Sequence, residues 1–567
     1  MPRLDYFAPG VYVEEVDRGS RPIEGVSLSV AGFIGFTEDV RGEAELFQPM
    51  MVTSWDQYLE YFGKQGSDGF TDFNAYLPFA VYGWFLNGGG RCWVSSIGIK
   101  LPGSEAPPAE ESATKLLNSG GRPSLRFSIK PSEQEESALA LPGSTPRLTV
   151  QIQSSTPKPL PEDAPEGTEP PLDSGEFFTV VVKRGEQELE RYEHLTMNSA
   201  IDTQVADYVV TVLETSEFLT IEDIAQSGQS LSRRPVNGMY EVSPPPHIST
   251  PDRFPRDLQG TREDRSGVQG IFEIDDVAMI ACPDLMRVYQ EGLIDLDQVH
   301  GIMEMMISRC ENSSPSPPFR MVVLDSPPCK NGAAVPAEQV KPQHVAQWLS
   351  AFNRRSQFAA LYYPWIKVAN PRNGGRPIAI PPCGHMMGVW CRTDETRGLY
   401  KAPANDTPRG VIGLAYETNF REQELLNPLG INCIRNFANF NRGIKIWGAR
   451  TLVEPDNIQW RYIPVRRLMS YIEKSIEIGT QWVVFEPNDS RLWGRVNATV
   501  SSFLERLWRE GALVGASAAD AFYVKCDGEL NTPDTMMLGR LYIEIGVAPV
   551  RPAEFVIFRI SQWAPGQ

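Results

Sequence analysis

Val277-Ala278-Met279-Ile280-Ala281-Cys282 decides the class of the fold. Apolar residues in an unbroken run read as a strand buried on both faces, not as one with a face to water. Leu296 to Cys310 follows, with Val299, Ile302, Met303 and Met306 at helical spacing. Met321 to Leu324 repeats the apolar strand pattern. Ala337 to Phe352 repeats the helical one, with Val345, Trp348 and Leu349 on one face, and Phe358 to Tyr363 returns to strand. Continuous apolar strands alternating with helices predict a parallel sheet, covered by helices, across residues 268–430.

Upstream, residues 28–100 have related character. Leu28 to Phe36 (LSVAGFIGF) reads as a buried strand, Trp55 to Phe62 and Phe73 to Leu86 as helices, and Cys92-Trp93-Val94 as another strand. Gly88-Gly89-Gly90 lacks the Lys-Ser/Thr of a phosphate loop and precedes a strand, so it reads as a turn. Residues 1–27 hold one isolated strand pattern, Val11-Tyr12-Val13-Glu14-Glu15, between the breakers Pro9-Gly10 and Gly19-Ser20. A lone strand is not stable in water and needs a partner.

Between these parts lies a stretch of different composition, residues 101–267. Residues 101–171 contain 13 prolines, and residues 101–266 carry 27 acidic against 15 basic side chains. Short strand patterns such as Leu148 to Ile152 and Phe177 to Val182 are embedded in it. It reads as an inserted, β-rich, solvent-facing outer domain with Pro-rich connections.

Downstream, residues 431–552 read as an α+β unit. Pro464 starts a helix that ends at Gly479, with Val465, Leu468, Met469, Ile472 and Ile476 as its apolar stripe. A second helix runs to Glu510. Leu541, Ile543, Ile545 and Val547 alternate as a strand, and Glu554 to Trp563 (EFVIFRISQW) reads as a final strand within a terminal arm, residues 553–567.

Chemistry is sparse. The net charge of −18 across 567 residues argues against nucleic acid or an anionic membrane as partner. No run approaches a membrane span, and the opening residues lack the apolar stretch of a secretion signal, so a cytoplasmic protein is expected. Eight scattered cysteines without a C-x-x-C pair read as buried thiols. His194, His247, His300, His344 and His385 accompany no G-x-S-x-G elbow, so no hydrolytic triad is expected. Cys383, His385 and Cys391 would need a distant fourth ligand to hold zinc. The acidic runs Glu133 to Glu136 and Glu162 to Glu169 fit no calcium loop. No cofactor or metal is expected. Arg491, Arg495, Arg506 and Arg509, on the helix Ser490 to Glu510, form a local basic patch suited to an acidic partner.

Several longer motifs carry a resemblance. Gly448-Ala449-Arg450-Thr451-Leu452, then Trp460-Arg461-Tyr462-Ile463-Pro464-Val465-Arg466-Arg467, then Gly479-Thr480-Gln481-Trp482-Val483-Val484-Phe485-Glu486-Pro487-Asn488-Asp489, resemble the contractile tail sheath family. So do Gly539-Arg540-Leu541, Pro552-Ala553-Glu554-Phe555, Pro381-Pro382-Cys383-Gly384-His385, Lys401-Ala402-Pro403-Ala404-Asn405 and the N-terminal Pro9-Gly10-Val11-Tyr12-Val13-Glu14-Glu15. The resemblance covers residues 1–100 and 268–567, not the insertion. It implies a subtilisin-like α/β centre without the triad, a C-terminal α+β sheath domain, and hexameric rings stacked helically around an inner tube protein, with baseplate and cap or terminator proteins at the ends. It also implies extended terminal arms that add strands to a neighbour's sheet: here Val11, Tyr12, Val13, Glu14 and Glu15 at one end, and Phe555, Val556, Ile557, Phe558, Arg559 and Ile560 at the other. The basic helix is then expected to face the tube. The leading alternative is an acidic scaffold that recruits a partner through residues 101–267.

Overall fold

The computed structural model describes residues 22–103, 114–130, 148–159, 172–185, 187–201, 203–225, 228–242, 253–312, 318–438 and 442–558. Its centre is a sheet whose parallel strands come from both sides of the insertion. In chain order they are β1 (Ala31–Gly35), β2 (Cys92–Ser96), β3 (Met279–Ala281), β4 (Met321–Asp325), β5 (Ala359–Tyr363) and β6 (Ile431–Asn436). In space they run β2-β1-β3-β4-β5-β6, every neighbouring pair parallel. Antiparallel strands Pro49–Val52 and Ile444–Ile446 close the two edges of this eight-stranded sheet. Val277 and Ala278 lie just outside β3, whose own residues are fully buried, as the apolar run requires.

The connection from β1 leads to β2 on one side, and that from β3 leads to β4 on the other. The carboxyl ends of β1 and β3 therefore flank the point where strand order reverses, the usual ligand crevice of an open α/β sheet. Helix α1 (Tyr76–Leu86) starts there, and α2 (Cys383–Arg397) starts beside the carboxyl end of β4. The two helices pack closely because Gly384 and Gly388 leave room: a side chain at either would run into the backbone of α1 at Ala80 or Trp84. Trp390 of α2 donates its indole N–H to the Tyr362 hydroxyl at 2.9 Å, which ties this helix to β5.

The described residues between 114 and 242 build two further sheets, of three and five strands, antiparallel but for one parallel edge pair in the larger, around a core of their own that includes Leu125, Phe127, Val150, Phe178, Val180 and Leu195. The C-terminal unit holds α3 (Ile463–Gly479), α4 (Ser490–Arg509) and an antiparallel ribbon, β7 (Phe522–Lys525) with β8 (Glu544–Val547). Leu468, Ile472, Leu492, Val496, Val500 and Phe503 form its core, with Ile23 inserted among them.

Two local expectations change. The alternating run from Leu541 becomes a strand only from Glu544, because the Asn531 side chain takes the ladder's place at Tyr542: its Oδ1 accepts from the Tyr542 N–H at 2.7 Å, and its Nδ2 donates to the Tyr542 carbonyl at 3.0 Å. Of the final strand expected over Glu554 to Trp563, only residues 554–558 are described. Glu554–Phe558 are irregular, since extended backbone becomes a strand only beside another one.

Candidate functional site

The place where an α/β protein usually holds a ligand is occupied here by the chain's own side chains. Asp284, just beyond β3, is buried in the switch-point crevice. Its carboxylate accepts from the Tyr76, Phe36 and Leu77 N–H groups at 2.5, 2.7 and 3.2 Å. It thus fills the N-terminus of α1, whose exposed N–H groups and dipole would otherwise attract an anion. Gly35 is required beside it, as any side chain there would collide with the carboxylate. Burial pushes the Asp284 carboxyl up to about 6, partly offset by the three backbone donors.

Asp325 repeats the arrangement one strand over. It ends β4 and accepts from the Cys383 N–H at 3.0 Å, which fills the start of α2. Burial pushes its carboxyl up to about 7, with the Cys383 side chain and backbone N–H acting against it. The Cys383 thiol is pushed far up by burial and then by the Asp325 charge, the reverse of what a nucleophile needs.

The histidines are dispersed. His385 is buried against Gly83, and its pKa is pushed down to about 4 by burial. His300 accepts from the Trp348 indole at 2.9 Å, His344 accepts from the Lys341 N–H at 3.2 Å, and His194 lies beside Ser155 and Thr156. His247 lies outside the described residues. Among the described residues no group of His, Cys, Asp and Glu could hold a metal ion, and no helix is long and apolar enough to cross a membrane.

The C-terminal unit is organised differently. Its ribbon has two strands; the 512–514 segment meets it just past β8 through the Leu513–Pro549 bridge, and among the described residues no further strand ladders onto it. Beyond it, Phe555, Val556, Ile557 and Phe558 are 70, 70, 81 and 82 % exposed, a run of large apolar side chains with nothing against them in the monomer. Arg559 and Ile560, expected to continue it, lie outside the described residues, as do Val11, Tyr12, Val13, Glu14 and Glu15. The segment leading in from that end is described from Ile23 onward, and it packs along α3. The Val26 N–H donates to the Ser475 hydroxyl at 3.1 Å, and Arg467 donates to the Leu28 carbonyl at 3.3 Å.

Arg491, Arg495, Arg506 and Arg509 all lie exposed on α4, and the spacing of 3.6 residues per turn puts them within one narrow face. Their partners differ. Arg495 pairs with Glu486 at 2.8 Å over the Trp482 ring, and Arg509 pairs with Glu505. Arg506 donates to the Ile23 carbonyl at 2.9 Å over the Phe503 ring, a structural joint invisible to helical spacing alone. The Arg466-Arg467 pair of the longer motif is buried. Arg467 joins Asp394 at 2.5 Å and so fastens α3 to α2, and Arg466 joins Glu473 at 3.0 Å.

Sequence reading missed β7, since Phe522-Tyr523-Val524-Lys525 is too short to show a period. Its signal was the partner strand alone.

Residues 301–452 match the family model for the phage tail sheath protein central domain, and residues 456–562 match that for the phage tail sheath C-terminal domain. A tail sheath protein of Salmonella phage ViI is 28% identical over 210 residues, which cover 36% of this chain and 31% of that relative. The matched stretch is thus about a third of the relative's length. Among solved structures, a chain of the anti-feeding prophage (AFP) baseplate aligns over 98% of this chain and 99% of its own, with TM-score 0.53 and 21% identity. A chain of an extracellular contractile injection system, the PVC sheath complex in the contracted state, aligns over 99% of both, with TM-score 0.53 and 20% identity. At such identity the likeness is one of fold.

Proposed function

We propose, from the match of its central and C-terminal stretches to the two phage tail sheath models, that the chain is the sheath subunit of a contractile, phage-tail-like machine. It polymerises as stacked hexameric rings around an inner tube protein, bounded by baseplate and cap or terminator proteins, and its contraction drives the tube through a target envelope. The observation that carries this reading is the pairing of opposites in the C-terminal unit: a ribbon with open edges and an exposed apolar arm. Each is a liability in a lone molecule, and each is the other's remedy when a neighbour's arm adds a strand to the ribbon. Such joints are flexible along the arm and strong across it, so subunits stay linked while the bodies between them rotate and slide.

In this reading residues 28–100 and 268–430 form a subtilisin-like body that keeps a fold without its active site. Residues 101–267 form an outer domain, residues 431–552 the sheath domain, and residues 1–27 and 553–567 the arms. The α4 face with Arg491, Arg495 and Arg509 meets the tube. The subunit is made in the cytoplasm, takes no cofactor, and neither binds nucleic acid nor inserts into a membrane. Electron microscopy of the purified protein tests the proposal: striated cylinders or hexameric rings are expected, and a monomer under every condition tried counts against it.

A further inference from the structure

Among its described residues the C-terminal arm is anchored at Glu554. Four donors converge on the Glu554 carboxylate: Arg450 Nε at 2.9 Å and Arg450 Nη2 at 2.6 Å, one to each oxygen, Asn427 Nδ2 at 2.8 Å, and the Tyr462 hydroxyl at 2.9 Å. The two-pronged Arg450 contact fixes the carboxylate in angle as well as position. Arg450 is in turn immobilised. Its Nη1 donates to the Asn427 carbonyl at 3.0 Å, and its backbone N–H donates to the Asn432 side chain at 2.6 Å. Asn432 sits in β6 and donates to the Leu361 carbonyl of β5 at 3.2 Å. A continuous chain of hydrogen bonds therefore runs from the central sheet to the root of the arm.

This attachment crosses between the two bodies. The C-terminal unit holds its own chain as far as Val550, whose N–H donates to the Ala512 carbonyl at 3.1 Å. Only Arg551, Pro552 and Ala553 separate that contact from Glu554, which is gripped instead by Asn427, just before β6, and by Arg450 and Tyr462, between the central sheet and α3. Beyond Glu554 the next four side chains are exposed.

We propose that the Glu554 cradle is a register clamp: it ties the exit direction and the strand register of the C-terminal arm to the central sheet, through Arg450 and Asn432, not to the ribbon that precedes the arm in sequence. This rests on the arm acting as an added strand. Successive side chains of a strand alternate, so fixing Glu554 puts Phe555 and Ile557 on one face and Val556 and Phe558 on the other. A slip of one residue would exchange the faces, and only a fixed origin prevents it in a strand that is apolar on both. The clamp also limits reach, since six extended residues, 555–560, span at most about 20 Å. A neighbour's ribbon must lie within that distance of Glu554 in every state the arm survives.

The test uses the full chain with nitroxide labels at Ile557 and Asn457. The wild type is expected to give one narrow distance distribution in the monomer. Glu554→Ala is expected to broaden it, to leave the melting temperature within about 2 °C, and to cut the pelletable assembled fraction roughly tenfold, as expected for an energetic loss near 1.4 kcal/mol. Tyr462→Phe, which removes one donor of the four, is expected to fall between the two and serves where Glu554→Ala does not fold. An unchanged distribution, or a broadened one with assembly intact, overturns the clamp. Deletion of residues 553–567 reports on the arm itself: assembly without them overturns the strand-addition reading instead.

Discussion

The central body and the C-terminal unit answer the same physical problem in opposite ways. Both contain parallel or paired strands with backbone groups that need partners, and both present helix ends and apolar side chains. In the central body the sheet edges and the two helix starts at the crevice are met within the chain. Pro49–Val52 and Ile444–Ile446 close the sheet edges, Asp284 and Asp325 fill the two helix N-termini, and the apolar strands are covered. In the C-terminal unit the demands are left standing, with the ribbon's outer edges unladdered and Phe555–Phe558 exposed. The difference teaches where to look for work in a protein without a reaction. A crevice plugged by the chain's own carboxylate does nothing further, whereas an unmet edge needs another molecule.

The largest effect expected from breaking this contrast is loss of assembly without loss of fold. Removing residues 553–567 should abolish rings and cylinders in electron micrographs. The monomer's melting temperature should fall only by what the Glu554 contacts contribute, because the described residues of that arm after Glu554 are exposed.

The inverse experiment belongs to the central body. Asp284→Ala leaves the Phe36, Tyr76 and Leu77 N–H groups buried without an acceptor, which should cost about 3 kcal/mol or more in urea unfolding. No anion added to the solution should restore it if the crevice is closed to solvent. Rescue by phosphate would instead reveal a latent ligand site.

A tube contact should respond less. Reversing Arg491 and Arg495 to Glu is expected to weaken sheath–tube association roughly tenfold to a hundredfold in co-sedimentation, the usual range for charges at an interface, and to leave sheath–sheath contacts intact. Unchanged co-sedimentation would remove this face from the tube interface.

The same contrast governs what could be read from sequence. The apolar runs at 279–281, 321–325 and 359–363 announced the parallel sheet because burial on both faces leaves an unambiguous composition. The helix faces of α3 and α4 were equally plain. Edge strands were not legible. Pro49–Val52 and Phe522–Lys525 are four residues each and take their identity from a partner distant in sequence. Asp284 and Asp325 passed unnoticed, since one carboxylate after an apolar strand looks the same whether it is solvated or buried against a helix end 208 or 58 residues away. The Glu554 cradle drew on Asn427, Arg450 and Tyr462, which no local period connects.

A smaller effect concerns pH. Asp284 and Asp325 both have carboxyls raised by burial, so the folded chain holds protons that the unfolded chain releases near pH 4. A raised acid favours the fold at low pH, and that contribution is lost as pH rises from about 4 through about 6 to 7. In Asp325→Asn the fall in unfolding free energy across this window should be shallower than in the wild type. Equal slopes would mean that Asp325 is ionised in the fold throughout.

The smallest effect separates arginines that share one face. Arg506 and Arg491 lie on the same exposed side of α4, but Arg506 alone donates to the Ile23 carbonyl, where the N-terminal segment enters the C-terminal core. Arg506→Gln should therefore cost about 1 kcal/mol in the isolated monomer, the worth of one hydrogen bond, and Arg491→Gln nearly nothing. Because the Ile23 segment leads toward the N-terminal arm, Arg506→Gln should also quicken hydrogen exchange at the Val26 amide, whose acceptor Ser475 lies on α3. If both substitutions behave alike, the bond to Ile23 contributes nothing in solution, and the four arginines form one surface after all.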